Sequence, residues 1–197
     1  MMLGLVLVFG GCTEKDKPDA VDVKVAPPAK KVKVAGPEFF EYALNGNIKA
    51  LETELLNGVD ANSQNPDKRT ALMLAAFNGH TGIAKLLISH GADVNMKDSV
   101  GRGALMFAST GSFNDTVKLL LEKGADVNTI ELQESWTALM FAAAEGQAAV
   151  VKTLLENNAN WKLKDIDGDT ARDFAAKNGH KQVVELIDSF IKAQPSE

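Results

Sequence analysis

The sequence predicts an all-α protein, a solenoid of about five stacked helix-turn-helix units. The first observation is a repeat, because Thr70, Gly103, Thr137 and Thr170 occupy matching places 33, 34 and 33 residues apart. The second is the content of each unit, two short apolar stretches with helical spacing on either side of a turn. One helix pair cannot bury its apolar face alone, so neighbouring units must stack on one continuous core.

The clearest copy of the unit is residues 70–95, TALMLAAFNGHTGIAKLLISHGADVN. Paired alanines such as Ala75 and Ala76 predict a first helix with small side chains, which lets its partner helix approach closely. Gly79 and Gly91 predict the ends of the two helices, because a helix often ends in a residue with positive φ and glycine adopts that conformation most readily.

The period, together with the recurring segments TALM, GH and GADVN, resembles the ankyrin repeat. That resemblance covers about residues 38–190 and implies an ankyrin-repeat solenoid in which a β-turn finger connects one helix pair to the next. The first and last units are predicted to be caps, and residues 191–197 a polar tail. The five units are placed at about residues 38–65, 66–97, 98–130, 131–164 and 165–190.

Two units depart from the pattern. In the third, Gly103 replaces the threonine and the inter-helix glycine moves to Gly111, which predicts an altered loop with Phe113 folded back on the core. In the fourth, one extra residue lengthens the finger, and this longer finger is predicted to expose its apolar side chains. Those side chains are Ile130, Leu132 and Trp136.

The first 12 residues, MMLGLVLVFGGC, resemble a bacterial lipoprotein signal. The resemblance implies cleavage before Cys12 and lipidation of that residue, which would anchor the protein in the bacterial cell envelope, at the periplasmic face of the outer membrane. The segment departs from the family pattern at Phe9, where leucine is usual, and no Lys or Arg precedes the apolar run. The alternative is a buried N-terminal element with an unmodified cysteine, and then a cytosolic ankyrin adaptor.

Residues 13–37 are predicted to be a disordered linker, because they mix lysine, valine and proline without any periodic pattern. Pro18, Pro27, Pro28 and Pro37 oppose a helix there. The whole chain has a net charge of −5, but beyond residue 37 there are 15 basic and 22 acidic side chains, a balance of 15 − 22 = −7. Such an acidic body argues against nucleic acid as a partner.

No catalytic site, metal site or cofactor is predicted. His80 and His180 occupy the Gly-His position, where the resemblance implies hydrogen bonds to backbone groups between units, and no nucleophile stands at a defined offset from a histidine. The segment at 165–169, DIDGD, is predicted to be a turn, since its glycine comes too early for a calcium loop. Three methionines at one repeat position are predicted to fill gaps in the core rather than form a recognition surface. They are Met73, Met106 and Met140.

What remains is binding of another protein. The resemblance implies that a partner docks on the concave face, which consists of the finger tips and the exposed residues of the first helices. Arginine and aromatic residues, which align across units here, are enriched at binding hot spots. The alternative is that Phe77 and Trp136 only cover adjacent fingers. The candidate partner-binding residues are Arg69, Phe77, Asn78, Arg102, Thr110, Trp136, Glu145, Asp169 and Lys177.

The sequence therefore predicts a monomeric, non-catalytic protein-binding module that is tethered to the envelope through a lipid on Cys12. A second hypothesis is a dedicated inhibitor, immunity protein or protecting factor of one envelope enzyme. A third is an enzyme in the concave groove, such as a metal-dependent hydrolase that uses the histidines, which repeat scaffolds without a pocket rarely support.

Overall fold

The computed structural model describes residues 33–194, and within this range the regular structure is helical. It confirms the all-α prediction, since the described residues contain ten helices and, in place of strands, three isolated β-bridges. The helices are α1 (Pro37–Leu44), α2 (Ile48–Leu56), α3 (Ala71–Phe77), α4 (Thr81–Ser89), α5 (Ala104–Ser109), α6 (Asn114–Glu122), α7 (Ala138–Ala144), α8 (Ala148–Glu156), α9 (Ala171–Lys177) and α10 (Lys181–Ala193).

The helices form two layers. Helices α1, α3, α5, α7 and α9 contact one another in that order, and so do α2, α4, α6, α8 and α10. Each first helix also packs against the second helix of its own unit. One core cluster runs through the stack, from Phe39 in the first unit to Ile187 in the last. The units are therefore mutually dependent, as expected of a repeat solenoid.

The repeat threonines begin the first helices. The Thr70 hydroxyl accepts a hydrogen bond from the Met73 backbone N–H, and the Met73 sulfur accepts one from the Thr70 N–H. Thr137 and Met140 repeat this reciprocal arrangement, a thioether version of the capping box. Gly103 provides no side-chain cap. The prediction that the methionines fill the core is confirmed, because Met73, Met106 and Met140 are 1%, 3% and 1% exposed.

The turn between the two helices differs in the third unit, as predicted. Elsewhere a glycine with positive φ makes the turn, such as Gly79 at φ 67°, whereas Gly111 does not have a positive φ. The Phe113 ring does fold back, but it packs against Gly79 and Gly111 instead of joining the core. The Phe113 ring lies over Gly79 in the same way as the His80 ring lies over Gly46 one unit earlier.

Polar side chains join consecutive units at two levels. His80 Nε2 lies 3.0 Å from the Leu44 carbonyl oxygen and His180 Nε2 lies 2.9 Å from that of Ala144, which confirms the predicted use of the two histidines. At the other end of the units, three asparagines each donate to the backbone of the following unit and accept from it. They are Asn62, Asn95 and Asn128.

Regular structure extends beyond the predicted limits of the repeats at both ends. Lys33, predicted to lie in the linker, donates its N–H to the Gly58 carbonyl and its side chain pairs with Glu54. Pro37 begins α1 rather than opposing a helix, because the first helical position needs no N–H donor. At the other end α10 continues to Ala193, inside the predicted tail.

The predicted signal segment, Cys12 and most of the linker lie outside the described residues. Among residues 33–194, no helix combines the length and the apolar character that a membrane span requires.

Candidate protein-binding face

The face that the resemblance predicts to be concave consists of the fingers and of the first helices α3, α5, α7 and α9. Each finger opens with a side chain whose oxygen accepts backbone N–H groups further along the same finger. Asn65 Oδ1 accepts from Asp67 and Arg69, and Asp165 Oδ1 accepts from Asp167 and Asp169. These bonds fix the loops, so that the residue before each helix is held in a defined position.

The longer fourth finger uses a longer acid. Glu131 stands where the other fingers have Asn or Asp, and one of its oxygens, Oε1, accepts from the N–H groups of Glu134 and Trp136 at 2.6 and 3.1 Å. Its other oxygen accepts from Gln133 at 2.8 Å. The side chain is 5% exposed. The extra methylene of glutamate thus compensates for the extra residue in the loop.

Backbone hydrogen bonds connect neighbouring fingers into a row. The Ser99 N–H donates to the Asp67 carbonyl at 3.1 Å, and the Leu132 N–H donates to the Val100 carbonyl at 2.8 Å. A third bond, 3.1 Å long, joins the fourth finger to the fifth. The side chains of the row are therefore presented by a preorganised scaffold.

Arg69 and Arg102 converge on one ring and one carboxylate. Their Cζ atoms lie 5.7 and 5.0 Å from the centroid of the Phe107 ring, within the range of cation–π contacts. Arg102 donates two hydrogen bonds, 3.0 and 2.9 Å long, to Asp98 Oδ2. The Asp98 side chain is 1% exposed, and Arg69 Nε lies 3.8 Å from the same oxygen. The two arginines therefore sit in a common cluster at units two and three.

Phe77 completes this part of the face. Its ring meets the Phe107 ring edge-on, with centroids 6.2 Å apart and an interplanar angle of 87°, a preferred geometry for aromatic pairs. Phe77 remains 47% exposed. Arg69, Phe77, Arg102 and Phe107 are called the Arg–Phe cluster below.

Trp136 belongs to a second aromatic cluster, at units four and five. Its ring lies 5.0 Å from the Phe141 ring and 4.3 Å from the Phe174 ring, measured between centroids. The expectation that the long finger exposes Trp136 is wrong in this respect, because the two phenylalanines half-bury the indole. Ile130 and Leu132 are exposed as predicted, at 48% and 76%.

Other candidate residues have partners within the protein. The Asn78 side-chain amide donates to the Leu44 carbonyl at 2.7 Å, beside His80. The Thr110 hydroxyl donates to the Phe107 carbonyl at 2.9 Å, at the end of α5. Asn78 and Thr110 thus contribute hydrogen bonds to the scaffold that holds the two clusters.

The remaining three candidates are charged. Glu145 is exposed at the C-cap of α7. Asp169 and Lys177 form an ion pair, and its hydrogen bond raises the pKa of the Lys177 ammonium group. Positive charge at units two and three is therefore followed by acidic or paired side chains at units four and five.

Sequence reasoning missed Asp98 and the phenylalanines at the centre of the two clusters. A signal for the phenylalanines was present, because Leu74, Phe107, Phe141 and Phe174 occupy the same place in consecutive units, one residue after the methionine position. The three phenylalanines of that column contact finger residues in the folded chain. Asp98 gave no comparable signal, since an acid at this place in a finger also serves as an ordinary turn residue.

The three histidines are kept apart. His80 and His180 bond to carbonyls of different units, and His90 caps α4 with Nδ1 3.0 Å from the Leu86 carbonyl oxygen. In the part of the chain that the structure describes, no group of three His, Cys, Asp or Glu side chains is arranged to hold a metal ion. Asp165, in the segment that could suggest a calcium loop, accepts two backbone N–H groups as in an ordinary turn.

Two family models match this chain. One, described as ankyrin repeats in three copies, matches residues 39–131, and the other, described as ankyrin repeats in many copies, matches residues 120–175. The chain carries an ankyrin-repeat domain. Ankyrin repeats are protein–protein interaction modules and are generally non-catalytic.

A stretch of this ankyrin domain is similar to part of the tyrosine-protein kinase HTK16 of Hydra vulgaris. The two are 40% identical over 60 residues, which is 30% of this chain and 8% of the kinase. Because the chain spans so small a part of that relative, the similarity extends only to repeats and not to the kinase as a whole.

Proposed function

We propose that the protein is a non-catalytic docking module of the bacterial envelope, which binds another protein on the concave face of its ankyrin repeats. The observation that carries the proposal is the row formed by the Arg–Phe cluster and the Trp136 cluster. Arginine and aromatic residues are enriched at protein interfaces and binding hot spots, and here adjacent units hold them in one row.

The scaffold supports docking by limiting the entropy that binding would lose. The fingers are joined by backbone hydrogen bonds, and the arginines are already stacked on Phe107 or bonded to Asp98. A surface that is ordered before binding loses less side-chain freedom on association. The apolar part that remains open, chiefly Phe77 and Leu132, is available to a partner.

Site-specific photo-crosslinking in the native bacterium tests the face. A photoreactive residue at Phe77 or Glu145 on the concave face is expected to trap one protein, whereas the same residue at Leu56 or Lys152 on the second helices is not. Equal trapping from both sets of positions, or trapping from the second helices alone, contradicts the docking face.

Affinity measurements on the trapped protein give a quantitative test. Phe77→Ala is expected to weaken its binding by about tenfold, the effect of losing one exposed aromatic anchor. Leu56→Ala is the matched control, because it removes an apolar side chain that is 72% exposed on α2. Equal effects of the two substitutions would show that the row is not the binding surface.

The envelope tether is proposed from the sequence of residues 1–12. A triacylated or diacylated Cys12 would hold the protein firmly, since two or more acyl chains are needed for stable anchoring. An alkyne-bearing fatty acid fed to the bacterium is expected to label the wild-type protein but not Cys12→Ala. Mass spectrometry of the mature N-terminus then shows whether the chain begins at a lipidated Cys12, and an unmodified Met1 rejects the tether.

A further inference from the structure

We propose that Arg69 is an anion anchor, which binds a carboxylate side chain of an extended acidic segment in the partner protein. An apolar side chain beside that carboxylate packs on Phe77 and Phe107. The inference rests on the docking function proposed above and specifies the chemistry of the partner at units two and three.

The first step concerns charge. Two guanidinium groups, those of Arg69 and Arg102, surround one carboxylate, that of Asp98, which leaves the cluster with one positive charge in excess. Asp98 has little capacity to spare, because Oδ2 accepts both hydrogen bonds from Arg102 and Oδ1 accepts the N–H groups of Val100 and Arg102. The cluster can therefore attract a further anion to Arg69.

The second step concerns hydrogen-bond donors. Arg69 Nε is buried without a hydrogen-bond partner among residues 33–194, and at 3.8 Å its separation from Asp98 exceeds hydrogen-bond length. The side chain nevertheless keeps 34% of its surface exposed. An arginine offers a planar fork of donors, which matches the two oxygens of a carboxylate. Because Nε is buried, an incoming carboxylate meets the two terminal Nη groups of Arg69, whereas Asp98 already binds Nε and Nη2 of Arg102.

The third step concerns the surroundings. Phe107 lies beneath both guanidinium groups, and Phe77 stands edge-on beside it with almost half of its surface exposed. A partner that places a carboxylate on Arg69 therefore meets an aromatic surface next to it. The best fit is an acidic residue with an apolar neighbour, on a segment extended enough to follow the finger row.

The fourth step limits the anion anchor to one end of the face. The position of Arg69 and Arg102 is occupied by Trp136 in the fourth unit and by Asp169 in the fifth. Asp169 is paired with Lys177, and Glu145 is an exposed acid. An acidic segment is accordingly attracted to units two and three and not to units four and five.

The experiment uses the full chain in detergent micelles and a displayed library of short random peptides. Peptides bound by the wild-type protein are expected to carry Asp or Glu next to an apolar residue. The strongest binder is then synthesised in two forms, with the acidic residue intact and with that residue replaced by its amide. Arg69→Gln is expected to weaken binding of the acidic form about tenfold, the usual effect of losing a charge-assisted bidentate pair.

A double-mutant cycle separates this anchor from a structural role of Arg69. On the wild-type protein the amide peptide is expected to bind about tenfold more weakly than the acidic peptide, and on Arg69→Gln the two are expected to bind equally. Lys152→Gln, which removes a lysine of the second helix α8, is the charge-matched control and keeps the wild-type preference. If Arg69→Gln does not fold, the two peptides still test the acid on the wild-type protein.

Several outcomes would overturn the anchor. Selected peptides whose binding is weakened by Phe77→Ala but that carry no acidic residue refute the anchor and leave the docking proposal standing. Equal preference for the acidic peptide in wild type and Arg69→Gln refutes it as well. If vesicles of phosphatidylglycerol displace the peptides, and Arg69→Gln abolishes the binding of the vesicles, the anion is a lipid phosphate and the protein ligand is rejected. If Phe77→Ala changes the affinity for none of the selected peptides, both proposals are refuted.

Discussion

The ring of Phe113 packs on Gly79, so a Cβ atom at position 79 would overlap it. Gly46 and Gly146 are covered in the same way by His80 and His180, whose rings also bond to the preceding unit. In the third unit the contact is retained, but a phenyl ring cannot supply that hydrogen bond. These three junctions between units therefore share one geometry and differ in the interactions that stabilise them.

Gly79→Ala is expected to destabilise the protein by about 2–4 kcal/mol, from the positive φ and from overlap with Phe113. Gly124→Ala is the matched control, because Gly124 also has a positive φ, 85°, but a Cβ there meets nothing within 4 Å. It is expected to cost about 1–2 kcal/mol. Denaturant unfolding measures both, and equal losses would mean that the ring contact contributes nothing. In a Phe113→Ala background, the stability losses caused by Gly79→Ala and Gly124→Ala are expected to be more nearly equal.

Much of this fold follows from short-range patterns. Period, threonine caps and glycine turns each reflect an interaction within one unit, so the helices and the altered loop at Gly111 could be anticipated. The clusters depend on contacts between units. Arg69 and Asp98 are neighbours only after stacking, and Trp136 is covered only because Phe174 arrives from the next unit. The ion pair between Lys33 and Glu54 could not be predicted either, because the segment around Lys33 has the composition of a linker.

Asp98→Asn isolates the contribution of the arginine contacts. Asn65 forms the same finger bonds in the second unit with an amide, so an amide at position 98 can still accept the two backbone N–H groups. The amide NH₂ group would then replace Oδ2, and because it is a donor it could not accept the two hydrogen bonds from Arg102. The expected loss is about 1–3 kcal/mol, the range for depriving a polar group of its hydrogen-bond partner, because Arg102 is partly exposed. Chemical denaturation measures the loss, and an unchanged midpoint would show that Asp98 acts only as a turn residue.

Glu131→Asp tests the match between the length of the acid and the length of the finger. Aspartate cannot span the longer loop, so bonds to Gln133, Glu134 and Trp136 are lost, at a cost of about 1–3 kcal/mol for a buried carboxylate. Glu134→Asp makes the same change at an exposed side chain and is expected to have little effect. Thermal unfolding compares them.

Deletion of Gln133 provides a rescue of that variant. It restores the finger length of the other units, so Glu131→Asp combined with the deletion is expected to recover part of the lost stability. If the combined variant is less stable than the wild type by the sum of the two single effects, the proposed match of lengths is incorrect.

The last unit is expected to lose stability in acid through Asp173. Hydrogen bonds from the backbone N–H and the hydroxyl of Thr170 lower the pKa of the Asp173 carboxyl below its ordinary value of 3.8. A group whose pKa is lower in the folded state contributes stability that is fully present above the unfolded pKa and is lost as the pH falls through the folded pKa. The difference in unfolding free energy between wild type and Asp173→Asn should therefore be positive at neutral pH and shrink below pH 3.8.

Urea titrations followed by tryptophan fluorescence measure this difference. Trp136 reports on the last unit because it packs on Phe174, which follows Asp173 in α9. Asp67→Asn, at an exposed finger carboxylate, is the control and is expected to show a smaller difference. A difference for Asp173 that stays constant with pH would show that the ionised carboxylate does not hold the start of α9.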